Sequence, residues 1–87
     1  MKLNVKKIKL RGEDYEVREL TIKEMMPLMA ALSEDPEAGQ MALVKKCVYQ
    51  NGALVGEALE SFPAGAFLKL VAAVTEVNDL GDDAGND

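Results

Sequence analysis

At Val17-Arg18-Glu19-Leu20-Thr21-Ile22-Lys23-Glu24 an alternating strand pattern hands over to a helix start in a single step. Thr21 can cap the helix through its hydroxyl, while Glu24, three residues on, reaches back to the Thr21 amide. This capping box fixes a strand-to-helix corner early in the chain and so limits the folds open to it. Upstream, Lys6-Lys7-Ile8-Lys9-Leu10 alternates, Arg11-Gly12-Glu13-Asp14 signals a turn, and Tyr15-Glu16-Val17-Arg18 alternates again. The pattern predicts a β-hairpin with Ile8, Leu10, Tyr15 and Val17 on its buried face. A lone hairpin is marginal in water, so it must pack on helices.

Downstream of the corner, Ile22, Met25, Met26, Met29 and Leu32 fall on one helical face. Pro27 interrupts this run, because an interior proline lacks a backbone donor and clashes with the preceding turn. The expectation is a kink, or a short turn over 22–26 followed by a helix with Pro27 near its start. Ser33-Glu34-Asp35-Pro36 separates this helix from the next, with Asp35 as N-cap and Pro36 at the first helical position. The second helix places Met41, Val44 and Val48 on one line, with Leu43 and Cys47 beside it and Lys45, Lys46 and Gln50 on the wet side. Asn51-Gly52 fits either a helix C-terminus or a tight hairpin between Val48-Tyr49-Gln50 and Ala53-Leu54-Val55. The unbroken period through Val48 favours the helix.

Residues 57–61 suit one helical turn before Phe62-Pro63. The last helix, from about Ala64 to Asp79, carries the stripe Phe67, Leu70, Val71, Val74 and Val77, with Ala66, Ala72 and Ala73 keeping its flanks narrow. Leu80-Gly81 is expected to end it, and the tail from Asp82 to Asp87 is too polar and Gly-rich to pack. The fold expected is therefore α+β, mainly α: an N-terminal β-hairpin packed on about three helices. Residues 1–81 make one small domain and 82–87 a flexible acidic tail.

Composition narrows the chemistry. The 87 residues include no His, so no imidazole can serve as a base, hold zinc, or activate Cys47, Ser33 or Ser61. Cys47 sits among Leu43, Val44 and Val48 and reads as a small buried hydrophobe. Gly52 and Gly56 flank an apolar patch with no following Lys-Ser or Lys-Thr, so no phosphate loop is expected. Acids in the tail lack EF-hand spacing, and one Gly-Asp-rich stretch does not build a calcium β-roll. Neither cofactor, metal nor catalytic residue is expected, and an enzyme is the least favoured class.

Charge is polarised along the chain, whose formal net value is −5. Lys2, Lys6, Lys7, Lys9 and Arg11 precede any acid, and Glu76, Asp79, Asp82, Asp83 and Asp87 follow the last base. With two Tyr, two Phe and no Trp, the stacking inventory for nucleic acid is poor, and the basic strand reads as a solvated face. No secretory leader and no run of roughly 18 apolar residues is visible, so a cytoplasmic protein without membrane insertion is expected. A domain of this size buries only about 60% of the surface its unfolded chain exposes. Oligomerisation would add to its stability.

The order of parts resembles a known family. A strand running into Val17-Arg18-Glu19-Leu20-Thr21-Ile22-Lys23-Glu24, a mid-chain helix ending near Asn51-Gly52, and Phe62-Pro63 leading to a helix that closes with Val77-Asn78-Asp79-Leu80-Gly81 are similar to the small tail assembly chaperones of tailed bacteriophages and prophages. Pro27 departs from that pattern, since the family's helix after this corner is often uninterrupted. The resemblance implies a mostly helical protein that coats the tape measure protein, brings tail tube subunits to it, and is absent from the finished virion. Many members also exist in a longer form made by ribosomal frameshifting. Met25, Met26 and Met29 are the candidate protein-binding residues, because flexible Met side chains suit adaptable contacts; filling irregular gaps in a small core is their alternative role. Two other classes fit the composition: a small structural or adaptor protein, and an acidic nucleic-acid mimic, which would need its acids on one surface.

Overall fold

A computed structural model describes residues 1–80. The tail expected over 82–87 lies outside the described residues. Strands β1 (Val5–Leu10) and β2 (Glu13–Arg18) form the expected hairpin, in the register Lys6↔Val17, Ile8↔Tyr15 and Leu10↔Glu13. Its turn holds Arg11 at φ 52° and Gly12 at φ 86°. Two successive left-handed residues match the twist of the flanking strands. Leu10, Tyr15 and Val17 are buried and Ile8 is half-buried, so the face read from alternation is the face that packs.

Beyond the corner, helix α1 (Ile22–Glu34) runs as one element through Pro27, so of the two alternatives the split into a turn and a later helix does not occur. Pro27 cannot donate to the Lys23 carbonyl, but both residues are exposed, so water can satisfy that carbonyl. Helix α2 (Pro36–Cys47) follows at once, with the Asp35 side chain accepting from the Ala38 N–H at 3.3 Å. Gly39 brings α1 and α2 together: a Cβ there would lie 2.6 Å from the Leu32 backbone nitrogen.

The second helix ends at Cys47, earlier than its period suggested. Strands β3 (Val48–Gln50) and β4 (Ala53–Leu54) form a second hairpin around Asn51 (φ 54°) and Gly52 (φ 81°). The helix reading of this stretch is thus overturned. Val48 and Tyr49 pair with Val17 and Glu16, so β3 completes β2's second edge, and fully buried Val48 packs better on the pleated face than as a further helical turn. The result is an antiparallel sheet of order β1-β2-β3-β4, with helix α3 (Ala64–Val77) packed against β1 and β2 and α1 packed on α2.

A 3₁₀ helix over Gly56–Ser61 buries Leu59 and is tied to α2 by Lys45, which bonds Glu57 at 3.1 Å and Glu60 at 2.5 Å. Phe62 then meets the Tyr15 ring edge-on, with centroids 5.6 Å apart. Helix α3 (Ala64–Val77) buries Ala66, Leu70, Ala73, Val74 and Val77, whereas Phe67 and Val71 are only half-buried. Its buried face is therefore rotated toward the alanines, which let α3 approach the sheet closely. The helix stops through a Schellman motif before Gly81 is reached. Asp79 takes φ 54°, its N–H bonds the Glu76 carbonyl, and the Leu80 N–H bonds the Thr75 carbonyl at 2.9 Å.

Candidate interaction surface

The capping box that the sequence announced is formed. Glu24 N–H donates to Thr21 Oγ1 at 3.3 Å, and Thr21 N–H donates to Glu24 Oε1 at 2.9 Å. These bonds hold the Glu24 carboxyl below its usual range, the backbone bond first and the hydroxyl second. The corner is braced from the far end of the chain as well. Leu20 N–H donates to Asn78 Oδ1, Asn4 Nδ2 donates to the Val77 carbonyl, and Glu19 bonds the Asn4 backbone. The start of α1 is thereby fixed to the segment leading into β1 and to the end of α3.

Fixing the corner also fixes the rotation of α1. Leu28 is buried at 6% exposure, and Met25 and Leu32 pack against the core beside it. Ile22, Met26 and Met29 are exposed at 79%, 62% and 60%. Their spacing, i, i+4 and i+7, sets them in one line along the helix. Of the three methionines singled out by sequence, Met26 and Met29 lie on this open line, and Met25 turns inward as a gap-filler. The single apolar face read from the sequence is really two faces. Residues 25, 28 and 32 share a second i, i+3, i+7 spacing, and that signal marks Leu28 as the core residue and frees Ile22.

An outward line of Ile and Met has a particular chemistry. Ile22 is stiff and gives a fixed contact, whereas the unbranched thioethers of Met26 and Met29 can repack against differing surfaces. Such a line can take up the apolar face of another helix. It holds no group for acid, base or nucleophilic work.

The remaining reactive group is placed differently. Cys47 is fully buried at the α2–β3 junction, and burial pushes its thiol up to about 11, against the weaker effect of the Asn78 side chain, which donates toward its sulfur at 3.7 Å. A thiol in that state carries almost no thiolate near neutral pH. Among the described residues, no group of three or more His, Cys, Asp or Glu side chains is arranged to hold a metal, and no helix is long and apolar enough to cross a membrane. Comparison with protein families, curated proteins and solved structures finds no match.

Proposed function

We propose that this protein is a tail assembly chaperone of a tailed bacteriophage or prophage, which binds the tape measure protein and helps recruit tail tube subunits to it. One observation carries the reading: the line Ile22, Met26 and Met29 exposed on a helix whose other face is committed to the core. A long helical client offers apolar faces that must be kept from aggregating until the tube forms. A preorganised helix with adaptable side chains answers that need, and the resemblance over the chain supplies the particular client. On this reading the protein works in the cytoplasm of the bacterial host and leaves before the virion is complete. It acts through surface contact, without catalysis, cofactor or nucleic acid.

Co-expression with the tape measure protein of the same genome tests the reading. The tape measure protein should stay soluble and co-purify with this chain. If it is neither bound nor kept soluble, the chaperone function fails and a general structural or adaptor role takes its place.

A further inference from the structure

We infer a second binding site, distinct from α1, at which an extended acidic segment of a partner protein adds to β1 as a further strand. Strand β1 ends the sheet order, so among the described residues one of its edges pairs with no strand. The pairing phase shows which groups that edge presents. Glu19 N–H donates to the Asn4 carbonyl, and the two-residue turn closes on Leu10 and Glu13. Residues 4, 6, 8 and 10 therefore bond to β2, and alternation leaves the N–H and C=O groups of Val5, Lys7 and Lys9 directed outward. Three consecutive outward pairs span most of the strand.

Two further features select the occupant. The first is charge: Lys7 and Lys9 stand on the outer face at this edge, with Arg11 at its end and Lys69 across from it on α3. Lys9 makes an exposed contact with Asp14 at 3.6 Å, Lys7 stands opposite Glu16, whose carboxylate is taken by Arg18, and Lys6 is engaged with Glu76 at 2.7 Å. A second copy of β1 would set lysine against lysine, which lysine-bearing edge strands use to prevent self-pairing. An acidic strand meets the opposite field. The second feature is shape. Between the end of β1 and the first turns of α3 lies a groove of about 340 Å³ lined by Leu10, Arg11, Gly65, Ala66 and Lys69. Gly65 and Ala66 leave room beneath the edge for small apolar side chains on the helix side of an added strand.

The geometry thus specifies a pattern. Directly opposed residues share a face, so acids would sit opposite Lys7 and Lys9 and apolar residues opposite Ile8 and Leu10. An acetylated and amidated peptide of sequence Gly-Val-Glu-Val-Glu-Val-Gly has that alternation and serves as the probe. On titration to millimolar peptide, the Lys7 and Lys9 amides should exchange with solvent at least about tenfold more slowly, while the Ile8 amide, already bonded to β2, changes little. Lys7→Gln/Lys9→Gln, which removes the charges without setting acid opposite Glu16 and Asp14, should weaken binding by about fivefold or more with an unaltered circular dichroism spectrum. N-methylation of the two Glu amides of the peptide should abolish the slowing in the unsubstituted protein. Unchanged exchange at Lys7 and Lys9 would overturn the site, as would equal binding of the N-methylated peptide or of a peptide with Lys in place of Glu. Self-association of the protein through β1 would overturn it too.

Discussion

The side-chain oxygen of Asn78 accepts the Leu20 backbone N–H at 2.9 Å, joining the start of the first helix to the end of the last. The same side chain donates to the Val74 carbonyl at 3.0 Å and toward Cys47 Sγ. One half-buried amide therefore ties three helices where their ends converge. Asn78→Ala leaves the Leu20 donor without this partner, and the expected loss is about 1–3 kcal/mol in urea denaturation. A change smaller than about 0.5 kcal/mol would show that water replaces the amide at no cost.

Gly39 gives the sharpest steric prediction. Alanine in a helix interior normally gains about 1 kcal/mol over glycine. Here the new Cβ would meet main-chain atoms of Ala31 and Leu32 at 2.9 and 2.6 Å, and backbone cannot move aside as a side chain can. Gly39→Ala should therefore destabilise, by about 1–3 kcal/mol net. A stabilised variant would mean that α1 and α2 pack farther apart.

Two large apolar side chains of α3, Phe67 and Leu70, should differ in the order opposite to their size. Leu70 is fully buried, and Leu70→Ala should cost about 2–5 kcal/mol. Phe67 is half-buried, so Phe67→Ala should cost less than Leu70→Ala in the same assay. The reverse order would place Phe67 at the centre of the core.

Much of this arrangement is legible in the sequence, and the exceptions have physical causes. The first hairpin, the capping box and the Pro36 start of α2 announce themselves through local chemistry. The second hairpin does not, because Val48 serves a helical period as well as a strand, and only the open edge of β2 decides between them. The two faces of α1 merge in the sequence because Met25 and Met26 are neighbours and equally apolar. Their separation depends on the rotation that the corner bonds at Leu20 and Thr21 impose. The sequence carries α3 to about Asp79 with Leu80-Gly81 as its stop, whereas the helix ends at Val77 and Asp79 itself adopts the left-handed conformation. Aspartate can do this at modest cost, and composition does not reveal it.

Stability should fall in acid through named groups. Glu24 is held below its usual value of 4.5 by the Thr21 bonds, and Glu60 likewise by the Lys45 ammonium. Both carboxylates hold protons less tightly folded than unfolded, so their contribution is present above about pH 4.5 and is lost as pH falls through the lower folded values. Lys45 is raised above 10.5 by Glu60 and Glu57, so its contribution is present below that value and lost as pH rises past it. Glu24→Gln and Glu60→Gln should each flatten the decline in melting temperature between about pH 5 and 3. An undiminished slope in both variants would assign the acid sensitivity to other carboxylates.

The most direct measurement compares tape measure binding by the unsubstituted protein with that by Ile22→Gln/Met26→Gln/Met29→Gln. These side chains are exposed, so the fold and melting temperature should be kept, the latter within a few degrees. Co-purification of the tape measure protein should be lost, while Met25→Leu, on the packed side of the same helix, should retain it. A triple variant that folds and still co-purifies the client would contradict the assignment of α1's exposed line as the chaperone surface.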